Sequence, residues 1–161
     1  MFKFIYEMEI GEVVFGEFNG AICFIEWGWN GRDVRVGGEV RETPLIKEAH
    51  SQLVEYLAGN RREFDLPLDP LGTDFQKRVW TTLREIPYGE VRSYKEIAEA
   101  IGNPKAVRAV GGANNRNPIS IVVPCHRVIG TDGSLTGYGG GLPMKEKLLK
   151  LEGVLKNQEL R

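Results

Sequence analysis

Two cysteines, Cys23 and Cys125, and two histidines, His50 and His126, are all that the 161 residues hold of those types. That scarcity excludes a disulfide framework, a Cys-x-x-Cys redox pair and any zinc-ligand spacing. No run approaches the roughly 18 apolar residues of a membrane span. The opening Met1-Phe2-Lys3-Phe4-Ile5-Tyr6-Glu7 also lacks the charged-then-apolar layout of a signal peptide. A cytoplasmic protein with no membrane partner, no metal and no cofactor is expected. Neither sign of charge dominates, and a net charge of −1 excludes a uniformly cationic surface. The halves differ, however. Residues 1–73 hold 7 Lys+Arg against 13 Asp+Glu, net −6, whereas 74–161 hold 14 against 9, net +5. The second half is the better match for a polyanion.

What the chain does contain divides near Pro70-Leu71-Gly72. Before it, Phe2, Phe4 and Tyr6, then Val13-Val14-Phe15 and Ile22-Cys23-Phe24-Ile25, read as strands. Asn19-Gly20 is a hairpin turn, because both residues tolerate positive φ. Residues 28–43 read as a loop. Thr43 and Pro44 then open a helix carried by Leu45, Ile46, Ala49, Leu53, Tyr56 and Leu57 and stopped at Gly59. Cys23 belongs to a strand core, and His50 has a structural or surface place on that helix.

Beyond the boundary the spacing predicts three helices in quick succession. Thr73 and Gln76 form a capping box ahead of an apolar stripe of Phe75, Val79, Trp80 and Leu83. Ser93 and Glu96 form a second, opening a helix with Tyr94, Ile97, Ala98 and Ile101 inward and Gly102 as its stop. Asn103-Pro104 starts a third, over residues 105–113, and two short helices joined by a tight turn are the layout of a helix-turn-helix. The third carries Ala106, Ala109, Gly111, Gly112 and Ala113, with Arg108 as its one large polar side chain after Lys105. Glycine costs a helix about 1 kcal/mol relative to alanine. Either this helix packs tightly on its own core, or its smooth face lies in a groove. Major-groove reading needs several polar side chains. One arginine on a smooth helix suits instead a wedge that fills a gap in a base stack.

The chemistry-bearing stretch is 117–130. The run 119–123 reads as a buried strand that Pro124 ends. Cys125 and His126 follow, and neighbours in extended chain act on one another only if the backbone turns there or a water bridges them. A thiol beside an imidazole, with Arg127 adding positive field, gives a reactive thiolate near neutral pH. On the dipeptide alone, a buried cysteine serving as a small hydrophobe remains the competing reading. A glycine-rich loop over 130–141 fits no phosphate loop. The last helix runs over 143–152, with Met144, Leu148, Leu149 and Leu151 inward and Glu152 as an orienting partner for His126.

Arg92-Ser93-Tyr94, the segment 102–111, Asn117-Pro118, Pro124-Cys125-His126-Arg127-Val128, Gly137-Tyr138 and 145–153 together closely resemble the O6-alkylguanine-DNA alkyltransferases. The resemblance implies an α+β architecture: a small ribonuclease H-like N-terminal domain, 1–70, and a winged-helix C-terminal domain, 71–161. It implies repair of duplex DNA by irreversible, single-turnover transfer of an alkyl group from O6 of guanine, and O4 of thymine, to Cys125 after the base is flipped out. His126 would accept the thiol proton through a water, Glu152 would orient the ring, Tyr94 would protonate guanine N3, and Asn117 would be the hinge between helix and cysteine. Arg108, Ala109, Ser93, Lys105, Gly111 and Arg127 would meet DNA, while Val128, Tyr138 and Gly139 would line the pocket. A monomer is implied, able to bind DNA side by side with other copies. Some members bind zinc in the N-terminal domain; the needed Cys and His residues are missing here. Position 139 is Gly where some members carry Ser. A helix-turn-helix regulator or a damage-recognition protein is the alternative, and it predicts DNA affinity without alkyl transfer.

Overall fold

The computed structural model describes residues 1–27, 37–138 and 141–155. It divides into two units, Met1–Leu71 and Gly72–Arg161.

In the first, β1 (Phe2–Met8), β2 (Gly11–Phe18) and β3 (Ala21–Trp27) form an antiparallel meander, and β4 (Glu39–Val40) pairs in parallel with β1, giving the order β3-β2-β1-β4. The β2-β3 turn is Asn19-Gly20, with φ of 51° and 78°. Both values suit the tight hairpin whose backbone twist matches its strands. Helix α1 (Pro44–Leu57) begins at Thr43, whose side chain accepts the Ile46 N–H. It buries Ile46, Ala49, Leu53 and Tyr56 at i, i+3, i+7, i+10 spacing against the sheet. Gln52 on that face is also buried. Its amide donates to Asp65 O at 3.1 Å and accepts from Asp65 N at 2.9 Å, fixing the return segment. Of the loop expected over 28–43, residues 28–36 lie outside the described residues, and 39–40 are β4.

The second unit holds α2 (Asp74–Leu83), β5 (Arg92–Ser93), α3 (Tyr94–Ala100), α4 (Val107–Asn115), a 3-10 turn at Cys125–Arg127, β6 (Val128–Ile129) and α5 (Leu142–Leu151). Both expected capping boxes are present, at Thr73/Gln76 and Ser93/Glu96. Helices α2, α3 and α4 pack mutually around Val79, Leu83, Ile97 and Val110. The Trp80 indole donates to Ala113 O at 2.8 Å, tying α2 to the C-terminal half of α4. Parallel pairing of Arg92 with Val128 and of Ser93 with Ile129 brings the cysteine turn beside the start of α3.

Two expectations are corrected. Residues 119–123 are buried at alternate positions, Ile119, Ile121 and Val123, yet they form no strand. The segment curls into a turn with Ile121 at φ 71°, closed by Val123 N to Ile119 O at 3.0 Å. The Asn117 side chain supplies the bonds that a neighbouring strand would have given. It accepts Ile119 N at 3.0 Å and donates to Val123 O at 2.8 Å. Helix α4 starts at Val107 rather than at 105. Ala106 at its cap offers no side-chain acceptor, so Lys105 stands ahead of the helix.

Trp80→Phe keeps most of the buried ring but leaves Ala113 O without its indole donor. Urea unfolding is expected to show a loss of about 1–2 kcal/mol.

Candidate active site and nucleic-acid interface

Cys125 opens the 3-10 turn, so the backbone bend that a cysteine and a following histidine need is present. Pro124 precedes it, and two amides hold the turn. Asn114, in the last turn of α4, donates to Cys125 O at 3.2 Å, and Asn117 donates to Val123 O two residues before the thiol. Asn114, Asn117 and Cys125 are all buried. Any shift of the C-terminal end of α4 is therefore transmitted to the cysteine backbone.

Behind the thiol lies a buried ionic network. His126 Nε2 stands 2.7 Å from Glu152 Oε2, and Arg127 clamps the same carboxylate, Nε to Oε1 at 2.8 Å and Nη2 to Oε2 at 3.0 Å. Arg127 Nη1 also donates to Ile86 O at 2.7 Å, and its guanidinium lies 5.7 Å from the Tyr88 ring centroid. Facing a carboxylate, Nε2 is the nitrogen that carries the proton. His126 Nδ1 is buried and takes no hydrogen bond from the described residues, which leaves it as the basic nitrogen. Burial pulls the imidazole below its ordinary value, against the opposing pull of Glu152, so the ring is neutral at pH 7.

The thiol itself departs from expectation. Burial pushes Cys125 from 9.0 up to about 11, opposed by the Asn117 hydrogen bond, the Lys145 charge, its own backbone N–H and Tyr138. The resting sulfur is a protonated thiol rather than a thiolate, because desolvation outweighs every nearby donor and cation. Any reaction at this sulfur would need a base to remove the proton, and a neutral imidazole such as His126 is chemically able to be one.

Of the residues expected to line a pocket, Val128 and Tyr138 are described. Val128 is buried, directly after the turn, and Tyr138 is buried within the glycine-rich segment. Gly139 lies outside the described residues. Tyr94, first residue of α3, donates its hydroxyl to Thr136 O at 2.8 Å or Gly137 O at 3.0 Å. Burial pushes its hydroxyl above the ordinary phenol value, so it keeps its proton at neutral pH.

On α4, Arg108 and Ala109 are exposed, as are Gly112 and, just before the helix, Lys105. A Cβ at Gly112 would meet nothing within 4 Å, and one at Gly111 would meet only the Tyr94 ring at 3.9 Å. Internal packing thus asks for neither glycine, and the smooth face is turned outward. Ser93 is half-buried at the cap of α3, its hydroxyl accepting Glu96 N at 3.0 Å. Arg127 is the exception among the residues expected to meet DNA. It points inward to Glu152 and is buried, because an unpaired carboxylate there would be far costlier than a satisfied pair.

Two family models cover the chain: the ribonuclease-like domain of 6-O-methylguanine DNA methyltransferase over residues 1–70 and its DNA-binding domain over 74–154. The chain belongs to the 6-O-methylguanine DNA methyltransferase family. It is 51% identical to a methylated-DNA–protein-cysteine methyltransferase of Methanosarcina acetivorans, over 95% of this chain and 99% of that one. It is 46% identical to the constitutive enzyme of that name from Bacillus subtilis, over 91% and 92%. Among solved structures it is similar to Mycobacterium tuberculosis OGT in complex with DNA, with TM-score 0.86 and 45% identity, covering 94% of this chain and 92% of that one. Membership fixes the architecture as the family's two domains, the second a DNA-binding domain. No described helix is long and apolar enough to cross a membrane.

Within the methyltransferase chain, sequence reasoning passed over Asn114 and Lys145. Lys145 lies three and four residues before Leu148 and Leu149, on the inward stripe of α5, and that spacing marks a lysine destined for burial.

The raised thiol has a sign that can be checked. Between pH 9 and 11 the unfolded chain loses the Cys125 proton while the folded one keeps it, so stability falls with rising pH in that window. Urea titrations are expected to show a steeper decline there for wild type than for Cys125→Ala.

Proposed function

We propose that this methyltransferase repairs duplex DNA by taking the alkyl group from O6 of guanine, or O4 of thymine, onto Cys125, each molecule acting once. The observation that carries the reading is the Asn114–Cys125 tie at 3.2 Å. It joins the helix bearing exposed Arg108 directly to the backbone of a buried thiol.

Arg108 enters the base stack as the damaged nucleotide swings out, with Ala109 and Gly111 letting the helix approach the duplex closely and Ser93 and Lys105 flanking it. The extruded base lies between Val128, Tyr138 and Gly139. His126 Nδ1 takes the thiol proton through a water, and Glu152, held by Arg127, keeps Nε2–H on the far side of the ring. The sulfur then attacks the alkyl carbon. The S–C bond forms, the C–O6 bond breaks, and Tyr94 gives a proton to guanine N3 as charge builds there. Asn117 braces the cysteine turn throughout. A thioether is a poor leaving group, so the product is final. The protein works as a cytoplasmic monomer, and several copies bind side by side on DNA.

Incubation with duplex DNA carrying O6-methylguanine is expected to add one methyl group to the intact mass of the wild type and nothing to Cys125→Ala. An unmodified wild type with retained DNA affinity would instead favour a damage-recognition protein. Arg108→Ala is expected to slow transfer from duplex DNA by at least about tenfold while leaving transfer from free O6-benzylguanine within about twofold. Equal losses on both substrates would remove the wedge role.

A further inference from the structure

Tyr94 stands among groups that keep its proton on. Its hydroxyl donates to Thr136 O at 2.8 Å or to Gly137 O at 3.0 Å, and both are carbonyl oxygens, which would repel a phenolate. Burial opposes the anion further. A tyrosine that gives its proton away here needs a donor for the oxygen it leaves bare.

Asn114 is placed to be that donor. It lies one turn beyond Gly111 on α4, and a Cβ at Gly111 would meet the Tyr94 ring at 3.9 Å, so this is the helix face turned toward the tyrosine. The buried amide carries two N–H groups. One donates to Cys125 O at 3.2 Å. The other is left for the Tyr94 oxygen, whose ionised form the Asn114 side chain favours. Asn114 Oδ1 is buried with no hydrogen bond among the described residues. Turning the amide over would set that oxygen against Cys125 O, so the cysteine carbonyl fixes the nitrogen end in place. An unmade bond in the interior is costly, and here it falls on the far end of an amide whose nitrogen is in use. Other neighbours serve Tyr94 less well. Thr136 favours the ionised form less than Asn114 does, and an ionised Cys125 opposes it. Lys145 stands 6.0 Å from the ring centroid, with its ammonium already donating to Val128 O and Thr136 O.

We propose that Asn114 is a positioning residue for Tyr94: anchored on the Cys125 carbonyl, it presents an amide N–H to the phenol oxygen and stabilises that oxygen as its proton leaves. The inference rests on the alkyl-transfer reading. In that step the sulfur electron pair forms the S–C bond, and the C–O6 pair passes to the purine. Guanine N3 takes the Tyr94 proton, while the O–H pair stays on the phenol oxygen. The charge thus appears beside a donor that is already aimed, with no side chain needing to reorient. Solvent returns the proton once guanine has left. One amide at the end of α4 thereby serves both the cysteine backbone and the tyrosine.

The test compares Asn114 with Asn114→Leu, which keeps the bulk and removes the donor, in the wild type and in a Tyr94→Phe background. Fluorine NMR of full-length protein labelled with 3-fluorotyrosine, titrated over pH 6–11, reads the ionisation of Tyr94 without any substrate. Its resonance is the one that Tyr94→Phe removes. Asn114→Leu is expected to move the Tyr94 midpoint up by about one pH unit. Single-turnover benzyl transfer from free O6-benzylguanine at neutral pH reads the reaction. Asn114→Leu is expected to slow it about tenfold when Tyr94 is present and by no more than about twofold in Tyr94→Phe, because both residues act on one proton. An unchanged midpoint in folded Asn114→Leu overturns the proposal. Equal slowing in the two backgrounds does so too, since Asn114 would then act only as a brace for the cysteine turn. If Asn114→Leu does not fold, Asn114→Ala replaces it under the same criteria. A wild type that takes no benzyl group defeats the transfer reading itself, while the fluorine midpoints still decide whether Asn114 serves Tyr94.

Discussion

The bidentate grip of Arg127 on Glu152 is the interaction from which the rest of the centre follows. A carboxylate with no exposed side chain is tolerable only when its charge and lone pairs are answered, and here Arg127, His126 and the Gly89 N–H answer them. Removing one partner of such a pair typically costs about 3–5 kcal/mol, so the network is rigid by necessity. Rigidity is what orients the imidazole, and the orientation is what leaves Nδ1 as the basic nitrogen. The fold supplies the geometry cheaply: Glu152 caps α5, and the 3-10 turn throws His126 and Arg127 to the same carboxylate within one turn of backbone.

A protonated resting thiol changes how reactivity is understood in this family member. A low-pKa cysteine is exposed to oxidants and stray electrophiles whenever it is accessible. Here the sulfur is buried and protonated, and the groups that favour its ionised form stand around it already: a cation, and amide and phenol donors. Such a sulfur becomes nucleophilic only once a base takes its proton.

What the sequence made legible is what local physics decides. The two capping boxes, the Asn19-Gly20 turn and the apolar stripe of α1 each depend on residues within a few positions of one another, and each was found where expected. The strand expected over 119–123 failed because alternate burial reports which residues are inside and not what pairs with their backbone; the Asn117 amide, a side chain outside the run, settled that. The inward turn of Arg127 depended on Glu152, 25 residues away, and on Ile86 O, 41 residues away. The ionisation of Cys125 failed for the same reason. Adjacency of a thiol and an imidazole is visible in the sequence, but the desolvation that outweighs it is a property of the assembled core. Lys145 was hidden only because a lysine is assumed to be solvated.

Helix α4 is poor in its own cohesion. With no side chain capping its start and two glycines in its middle, it is nine residues long, short of the length at which isolated helices persist in water. The indole of Trp80, and the Cys125 carbonyl that takes the Asn114 amide, hold from outside what the helix does not hold from within. The bare surface that can slide close to another molecule is therefore borrowed from the packing of its neighbours, and damage deep in that packing will be felt first as a failure of approach, at a surface the altered residue never touches.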